Sequence, residues 1–166
     1  MKVLLVINAH PSYFDAPPFD SSVNFYTSKY ISEYIKNNRG YEVFSVIDNH
    51  RPKSTELSFV PPHCIETLSQ PLCSSVFNGR VTKFTKHVPS ALSNQTLLSR
   101  LKEARSIEVC GFQTSFDIIT TAYDLMGLKS NFIILRNLCG DVSQELKNIA
   151  FQLMIHWGVP VSDIFP

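Results

Sequence analysis

The sequence has few charged side chains and no marked excess of either sign. Charged residues make up 17% of the 166 residues, and the formal net charge is +1. The chain also lacks a run of Lys or Arg residues, which argues against a nucleic acid or an anionic membrane surface as a partner. None of its apolar stretches has the length that a bilayer-spanning helix needs.

We expect no export signal, and the cysteine spacing does not indicate a disulfide framework or a cysteine-based zinc site. Residues 1–7 are apolar but short, and they end at Asn8 without a small-residue cleavage site. The cysteines show no CxxC spacing; they are Cys64, Cys73, Cys110 and Cys139. We therefore expect reduced thiols, most of them in the core, and a cytoplasmic protein.

What the sequence does contain is the pattern of one α/β domain over residues 1–166. Short apolar runs predict strands at 2–7, 41–47, 80–86, 106–111, 131–135 and 159–165. Amphipathic segments predict helices after Ser21 or Ser22 and at 94–104, 115–126 and 142–157. Strands that alternate with helices form parallel βαβ units. We expect a three-layer α/β/α, Rossmann-like domain with a parallel, six-stranded sheet.

Polar residues at the ends of these strands are the first candidates for a functional site. In open parallel sheets, ligands bind at the carboxyl ends of the strands. Asn8, Asp48, Lys86 and residues 111–117 each end or follow a predicted strand. The polar stretch from 48 to 79 has no clear periodicity, and a loop of that length in a small domain is often functional.

Four blocks of sequence carry a resemblance to a known family. They are LLVINAHPSYF at 4–14, DNHRPKSTELSFVPPHC at 48–64, TKHVPSAL at 85–92 and VCGFQTSFDIITTAYDL at 109–125. In the last block Gly, Thr, Thr-Ala and Asp all fall at the family's spacing. The chain resembles the nicotinamidase/pyrazinamidase branch of the isochorismatase-like cysteine hydrolases, from Val3 to about Val161. The resemblance implies hydrolysis of a C–N amide bond.

The resemblance also implies a catalytic triad, of which this chain retains one member. Family members use a cysteine thiolate as nucleophile, an aspartate that takes its proton and a lysine. These roles fall on Asp117, Asn8 and Lys86. The lysine matches, but a carboxylate stands at the nucleophile position and a neutral amide at the base position. We expect that cysteine-dependent amidase activity has been lost.

The carboxylate of Asp117 can have either of two roles. In the first, it forms an ion pair with Lys86, because an unpaired buried ammonium costs several kcal/mol. In the second, it serves as a general acid or base, either in a divergent hydrolase or in isochorismatase-like hydrolysis. We favour the ion pair, since a lone carboxylate is easily over-interpreted.

The metal site that the resemblance implies is better preserved. Nicotinamidases bind a divalent ion through an aspartate and two histidines, and Asp48, His50 and His63 match them. One carboxylate and two imidazoles suit zinc, iron or manganese. Glu56 lies near the position of a further histidine in some relatives and is a candidate additional ligand. We expect the three matching side chains to converge within coordinating distance.

Roles can also be assigned to residues near the three triad positions. Lys83 competes with Lys86 for the role of the buried lysine, and the spacing to the following Ser-Ala turn favours Lys86. The resemblance places His10 in the wall of the pocket. The backbone amides of residues 113–117, at the start of a predicted helix, are expected to form the equivalent of an oxyanion hole.

Three aromatic residues, Tyr13, Phe14 and Phe59, also lie in the matching blocks. They either line the pocket for an aromatic ligand or pack in the core.

Three functions remain open. The first is a divergent hydrolase, in which the metal activates water with help from Lys86 and Asp117. The second is a pseudoenzyme that binds a nicotinamide-like or other small ring compound through the metal. The third is a structural subunit of an oligomer, formed with further copies or with an active relative.

Overall fold

The structure is a computed structural model that describes residues 1–15, 17, 21–54, 57, 63–65, 70, 72–77 and 79–164. The predicted positions Glu56 and Phe59 lie outside the described residues. No helix within the described residues is both long and apolar enough to cross a membrane.

Six parallel strands form one sheet, as predicted. The strands are β1 (Lys2–Ile7), β2 (Glu42–Asp48), β3 (Val81–Lys86), β4 (Ser106–Gly111), β5 (Phe132–Cys139) and β6 (Val161–Ser162). Their order across the sheet is β3-β2-β1-β4-β5-β6. The helices are α1 (Ser22–Asn37), α2 (Gln95–Lys102), α3 (Ile119–Gly127) and α4 (Gln144–His156).

The two faces of the sheet bury separate apolar cores. Along β1, Val3, Leu5 and Ile7 face one core while Leu4 and Val6 face the other, because successive side chains of a strand point to opposite faces. Side chains of α2, α3 and α4 fill the first core, and side chains of α1 fill the second. The result is the expected three-layer arrangement, with β1 apolar on both faces because it lies inside the sheet.

Two strands, β5 and β6, differ from the prediction by more than one residue at an end. The fifth strand continues to Cys139 instead of ending at 135, and the register between β4 and β5 shifts between Val109 and Gly111. The apolar run ends at Leu135, so the polar Arg136 and Asn137 concealed the extension. The last strand was predicted at 159–165 but spans only Val161–Ser162, and position 165 lies outside the described residues.

The strand order brings the candidate site together. Asp48 and Lys86 are register partners at the ends of β2 and β3, and Ile7 pairs with Gly111 at the ends of β1 and β4. Asn8 follows β1 directly. One edge of the sheet therefore holds all the strand ends that the sequence singled out.

The backbone at this edge adopts unusual conformations. Asn8 and Gln113 both have left-handed φ angles, 54° and 59°. Asparagine tolerates this region, whereas for glutamine it carries strain that the surrounding structure must stabilise. Such strain is often found at functional sites.

The close contact between β1 and Gly111 generates a prediction. A Cβ atom at Gly111 would lie 1.9 Å from the Ile7 carbonyl oxygen, and the φ angle there is +128°. We expect Gly111→Ala to lower the free energy of unfolding by at least about 3 kcal/mol, because both the backbone angle and the contact must change. Urea unfolding measures this loss.

Gly127→Ala is the matched control, because no atom lies within 4 Å of a Cβ at this last residue of α3. Its effect should stay within about 1 kcal/mol and favour the folded state. Equal effects of the two substitutions would contradict the assigned contact.

Candidate functional site

A lysine shared by two carboxylates lies at the centre of the site. Lys86, Asp48 and Asp117 are 1%, 3% and 1% exposed. The Lys86 Nζ atom donates hydrogen bonds to Oδ1 of Asp48 and to Oδ1 of Asp117. The structure therefore contains the expected Lys86–Asp117 ion pair, together with a second pair to Asp48 that the sequence did not predict.

The electrostatics of this cluster keep Lys86 and Asp48 charged. Burial acts to lower the pKa of Lys86, but Asp117 and Asp48 outweigh it and raise that pKa. Burial acts to raise the pKa of Asp48, but Lys86 outweighs it and holds that pKa below its ordinary value. With Asp117 ionised as the partner of Lys86, two carboxylates and one ammonium leave a buried formal charge of −1.

Asn8 connects β1 to this cluster through two hydrogen bonds. Its Nδ2 donates to Asp48 Oδ2 at 2.9 Å, and the backbone N–H of Asp48 donates to Asn8 Oδ1 at 3.1 Å. An amide in this arrangement orients Asp48 but has no useful basicity. The residue at the family's base position is thus a structural clamp.

Tyr13 belongs to the polar cluster as well. It is fully buried, and its hydroxyl donates to Asp48 Oδ2. Burial, followed by the negative charge of Asp48, raises its pKa well above the ordinary value, so the phenol stays protonated. Its position in the sequence predicted a role for the aromatic ring alone, so this hydrogen bond is an additional finding. Phe14 packs in the core, with its ring centroid 5.4 Å from that of Phe112.

The three metal-ligand candidates lie together. Asp48, His50 and His63 each offer a ligand atom within 4.8 Å of the others. His50 Nε2 is 3.9 Å from Asp48 Oδ2, and the two imidazole centroids are 4.9 Å apart. The backbone N–H of His50 donates to the Cys64 carbonyl at 3.0 Å. This hydrogen bond holds the segment that contains His63 next to His50, although the two histidines are distant in the sequence.

The donor set fits a divalent ion. Ligands at 2.0–2.2 Å from one ion are at most about 4.4 Å apart, so the three side chains need only a small inward movement. One carboxylate and two imidazoles suit zinc, iron or manganese. The negative charge of the neighbouring cluster also favours a cation.

Three of the four cysteines, Cys64, Cys110 and Cys139, are buried thiols with a raised pKa. Cys64 is near the site, with its Sγ 3.7 Å from His10 Nδ1, but burial and the charge of Asp48 raise its pKa to about 12. Burial also raises the pKa of Cys110 and Cys139, which lie in the core. Cys73 is half-buried beside Ser75.

The amides that were expected to form an oxyanion hole are largely used within the chain. Thr114 N–H donates to the Gly140 carbonyl at 3.1 Å, and Ser115 N–H donates to Asp141 Oδ2 at 2.6 Å. Asp117 N–H donates to the Gln113 carbonyl at 2.8 Å. The backbone of 114–117 thus stabilises the local turn.

The structure also shows the surroundings of Lys83 and His10, two other candidates from the sequence. Lys86 is buried, whereas Lys83 is half-buried and donates to the Gln70 carbonyl at 2.5 Å. His10 accepts from or donates to the Gln70 side chain at 2.9 Å. Burial lowers its pKa.

Comparisons with solved structures show where this fold occurs. An isochorismatase-like hydrolase from Alkaliphilus metalliredigens matches with a TM-score of 0.83 and 14% identity, over 98% of this chain and 94% of that one. A pyrazinamidase/nicotinamidase from Streptococcus mutans matches with a TM-score of 0.79 and 20% identity, over 98% and 100%. A pyrazinamidase from Pyrococcus horikoshii, solved in complex with zinc, matches with a TM-score of 0.79 and 15% identity, over 98% and 99%.

Sequence comparison defines the family. No curated protein matches this chain significantly. The isochorismatase domain model, however, matches residues 2–164, nearly the whole chain. At identities of 20% or less the structural matches establish the fold, and the domain model establishes the relationship. This chain therefore belongs to the isochorismatase family.

Proposed function

We propose that this protein binds a divalent metal ion through Asp48, His50 and His63, and that it has lost cysteine-dependent amide hydrolysis. The observation that carries the proposal is the buried Asp117 carboxylate, ion-paired with Lys86 at the position where the family has its nucleophile. In this role the protein holds a small, nicotinamide-like ring compound beside the metal without cleaving it.

The state of Asp117 supports binding over hydrolysis. A general base must present its carboxylate to substrate or water. Here one oxygen of Asp117 faces the Lys86 ammonium, which itself is shared with Asp48. A carboxylate that balances a buried ammonium is a poor proton acceptor, because protonation would break the pair. The divergent hydrolase is therefore the second candidate.

Each residue has a separate part in the proposed site. Asp48, His50 and His63 hold the metal, which supplies an electrophilic centre for a ring nitrogen or carbonyl oxygen of the ligand. Asn8 orients Asp48, and Lys86 balances the two buried carboxylates. The surrounding apolar core excludes water from this charge network.

The metal assignment is tested by direct binding. We expect zinc or manganese to bind the purified wild type with one ion per chain, measured by equilibrium dialysis and elemental analysis. His50→Ala and His63→Ala each remove one ligand and should weaken binding at least about tenfold.

His156→Ala is the control, since His156 is exposed at the end of α4. It should bind like the wild type. Unchanged stoichiometry and affinity in both ligand variants would refute the assigned site.

The loss of amidase activity is tested by restoring the family's residues. We expect no nicotinamide deamidation by the wild type with metal added, and measurable ammonia release by Asn8→Asp/Asp117→Cys. The single variant Asp117→Cys should stay inactive, because Asn8 cannot take the thiol proton.

Asn8→Asp/Asp117→Ser is the matched control, which keeps the base but lacks a thiol. Deamidation by the wild type would show that Asp117 or the metal performs the chemistry and would overturn the proposal. Deamidation by Asp117→Cys alone would overturn the account of Asn8.

The buried charge cluster predicts a stability difference. Lys86→Met leaves two buried carboxylates without their ammonium, and we expect a loss of about 3–5 kcal/mol in the free energy of unfolding. The control is Arg100→Met, which breaks the Arg100–Glu42 pair; both side chains there are nearly half exposed. That loss should stay below about 1 kcal/mol. Urea denaturation compares the two, and similar losses would contradict the role of Lys86.

A further inference from the structure

The Oδ2 oxygen of Asp48, which faces the histidines, accepts two hydrogen bonds. Oδ2 is the oxygen 3.9 Å from His50 Nε2. It accepts from Asn8 Nδ2 at 2.9 Å and from the Tyr13 hydroxyl. An ionised carboxylate oxygen has about two lone-pair sites, so both sites of this oxygen are in use. Oδ1, the other oxygen, accepts from Lys86.

The two donors to Oδ2 are not equally fixed. Two hydrogen bonds hold the side-chain amide of Asn8, because its Oδ1 also accepts from the Asp48 backbone N–H. Tyr13 reaches Asp48 from the short turn Pro11–Tyr13, and its ring lies edge-on to His63 with the centroids 5.3 Å apart. Tyr13 thus contacts two of the three proposed metal ligands. Unlike the Asn8 amide, its hydroxyl is held to Asp48 by a single hydrogen bond.

We propose that the Tyr13 hydroxyl competes with the divalent cation for Asp48 and thereby weakens metal binding. This inference rests on the metal site of the proposed function. Tyr13 is fully buried, so a displaced hydroxyl loses a hydrogen bond to a charged acceptor and cannot turn to bulk water. Half-filling of the site then requires a higher concentration of free metal than it would without the Tyr13 hydroxyl.

Tyr13→Phe tests the competition, because it removes the hydroxyl and keeps the ring. We expect isothermal titration with zinc chloride to show binding about ten- to a hundredfold tighter than in the wild type, the range of one hydrogen bond to a charged group. Tyr41→Phe is the matched control. It removes a tyrosine hydroxyl that donates to Glu108 at 2.5 Å, outside the site, and it should bind zinc like the wild type.

A second measurement follows the absorption of the tyrosine directly. Zinc should shift the near-ultraviolet absorption of a tyrosine in the wild type and in Tyr41→Phe, and this change should disappear in Tyr13→Phe. Equal affinities of wild type and Tyr13→Phe, with zinc bound to both, would refute the competition and leave the metal site standing. Weaker binding by Tyr13→Phe would make Tyr13 a ligand and also refute it. Absence of zinc binding in both proteins would refute the competition and the metal site together.

Discussion

The ammonium of Lys86, held between the carboxylates of Asp48 and Asp117, is the interaction on which the site depends. Each carboxylate comes from a different part of the chain, one from the end of β2 and the other from the turn after β4. Burial of either alone is costly, because a charge removed from water needs a partner. The lysine therefore joins the strand ends of the sheet into one polar unit between the apolar cores.

The sheet supplies the geometry that this unit needs. Parallel strands place their carboxyl ends at the same edge, and register pairing of Asp48 with Lys86 sets the two side chains next to each other. The close approach of Gly111 to β1 brings the turn that carries Asp117 to the same place. The other two metal-ligand candidates, His50 and His63, lie beside Asp48, and the backbone hydrogen bond from His50 to Cys64 joins the two chain segments that carry them. Charge balance and cation binding are thus built on the same carboxylate, Asp48.

Much of the fold followed from sequence pattern, whereas the detailed contacts of the site did not. Apolar runs and helical periodicity identified six strands and their parallel arrangement, and the strand at 80–86 was recognised despite its basic residues. The resemblance identified Lys86 and Asp117 as neighbours, because their blocks match a family with a known arrangement. The Lys86–Asp48 pair depends on which strands are adjacent, and strand order is not visible in local pattern. The Tyr13 hydrogen bond depends on side-chain direction within a short turn, and the aromatic ring suggested only packing. The extension of β5 was not predicted, because polar residues interrupt the apolar run.

The charge of the cluster also constrains how such a site can change through mutation. The resemblance implies an aspartate in the family where this chain has Asn8, and a cysteine where it has Asp117. Both arrangements contain two carboxylates and one ammonium once Asp48 and Lys86 are counted, so the exchange at the two positions leaves the number of carboxylates unchanged. Either substitution alone changes that number by one. An intermediate with three carboxylates around one ammonium is the more unfavourable, because like charges then lie together in a buried site. On this electrostatic argument, the intermediate with fewer buried charges is the less costly of the two.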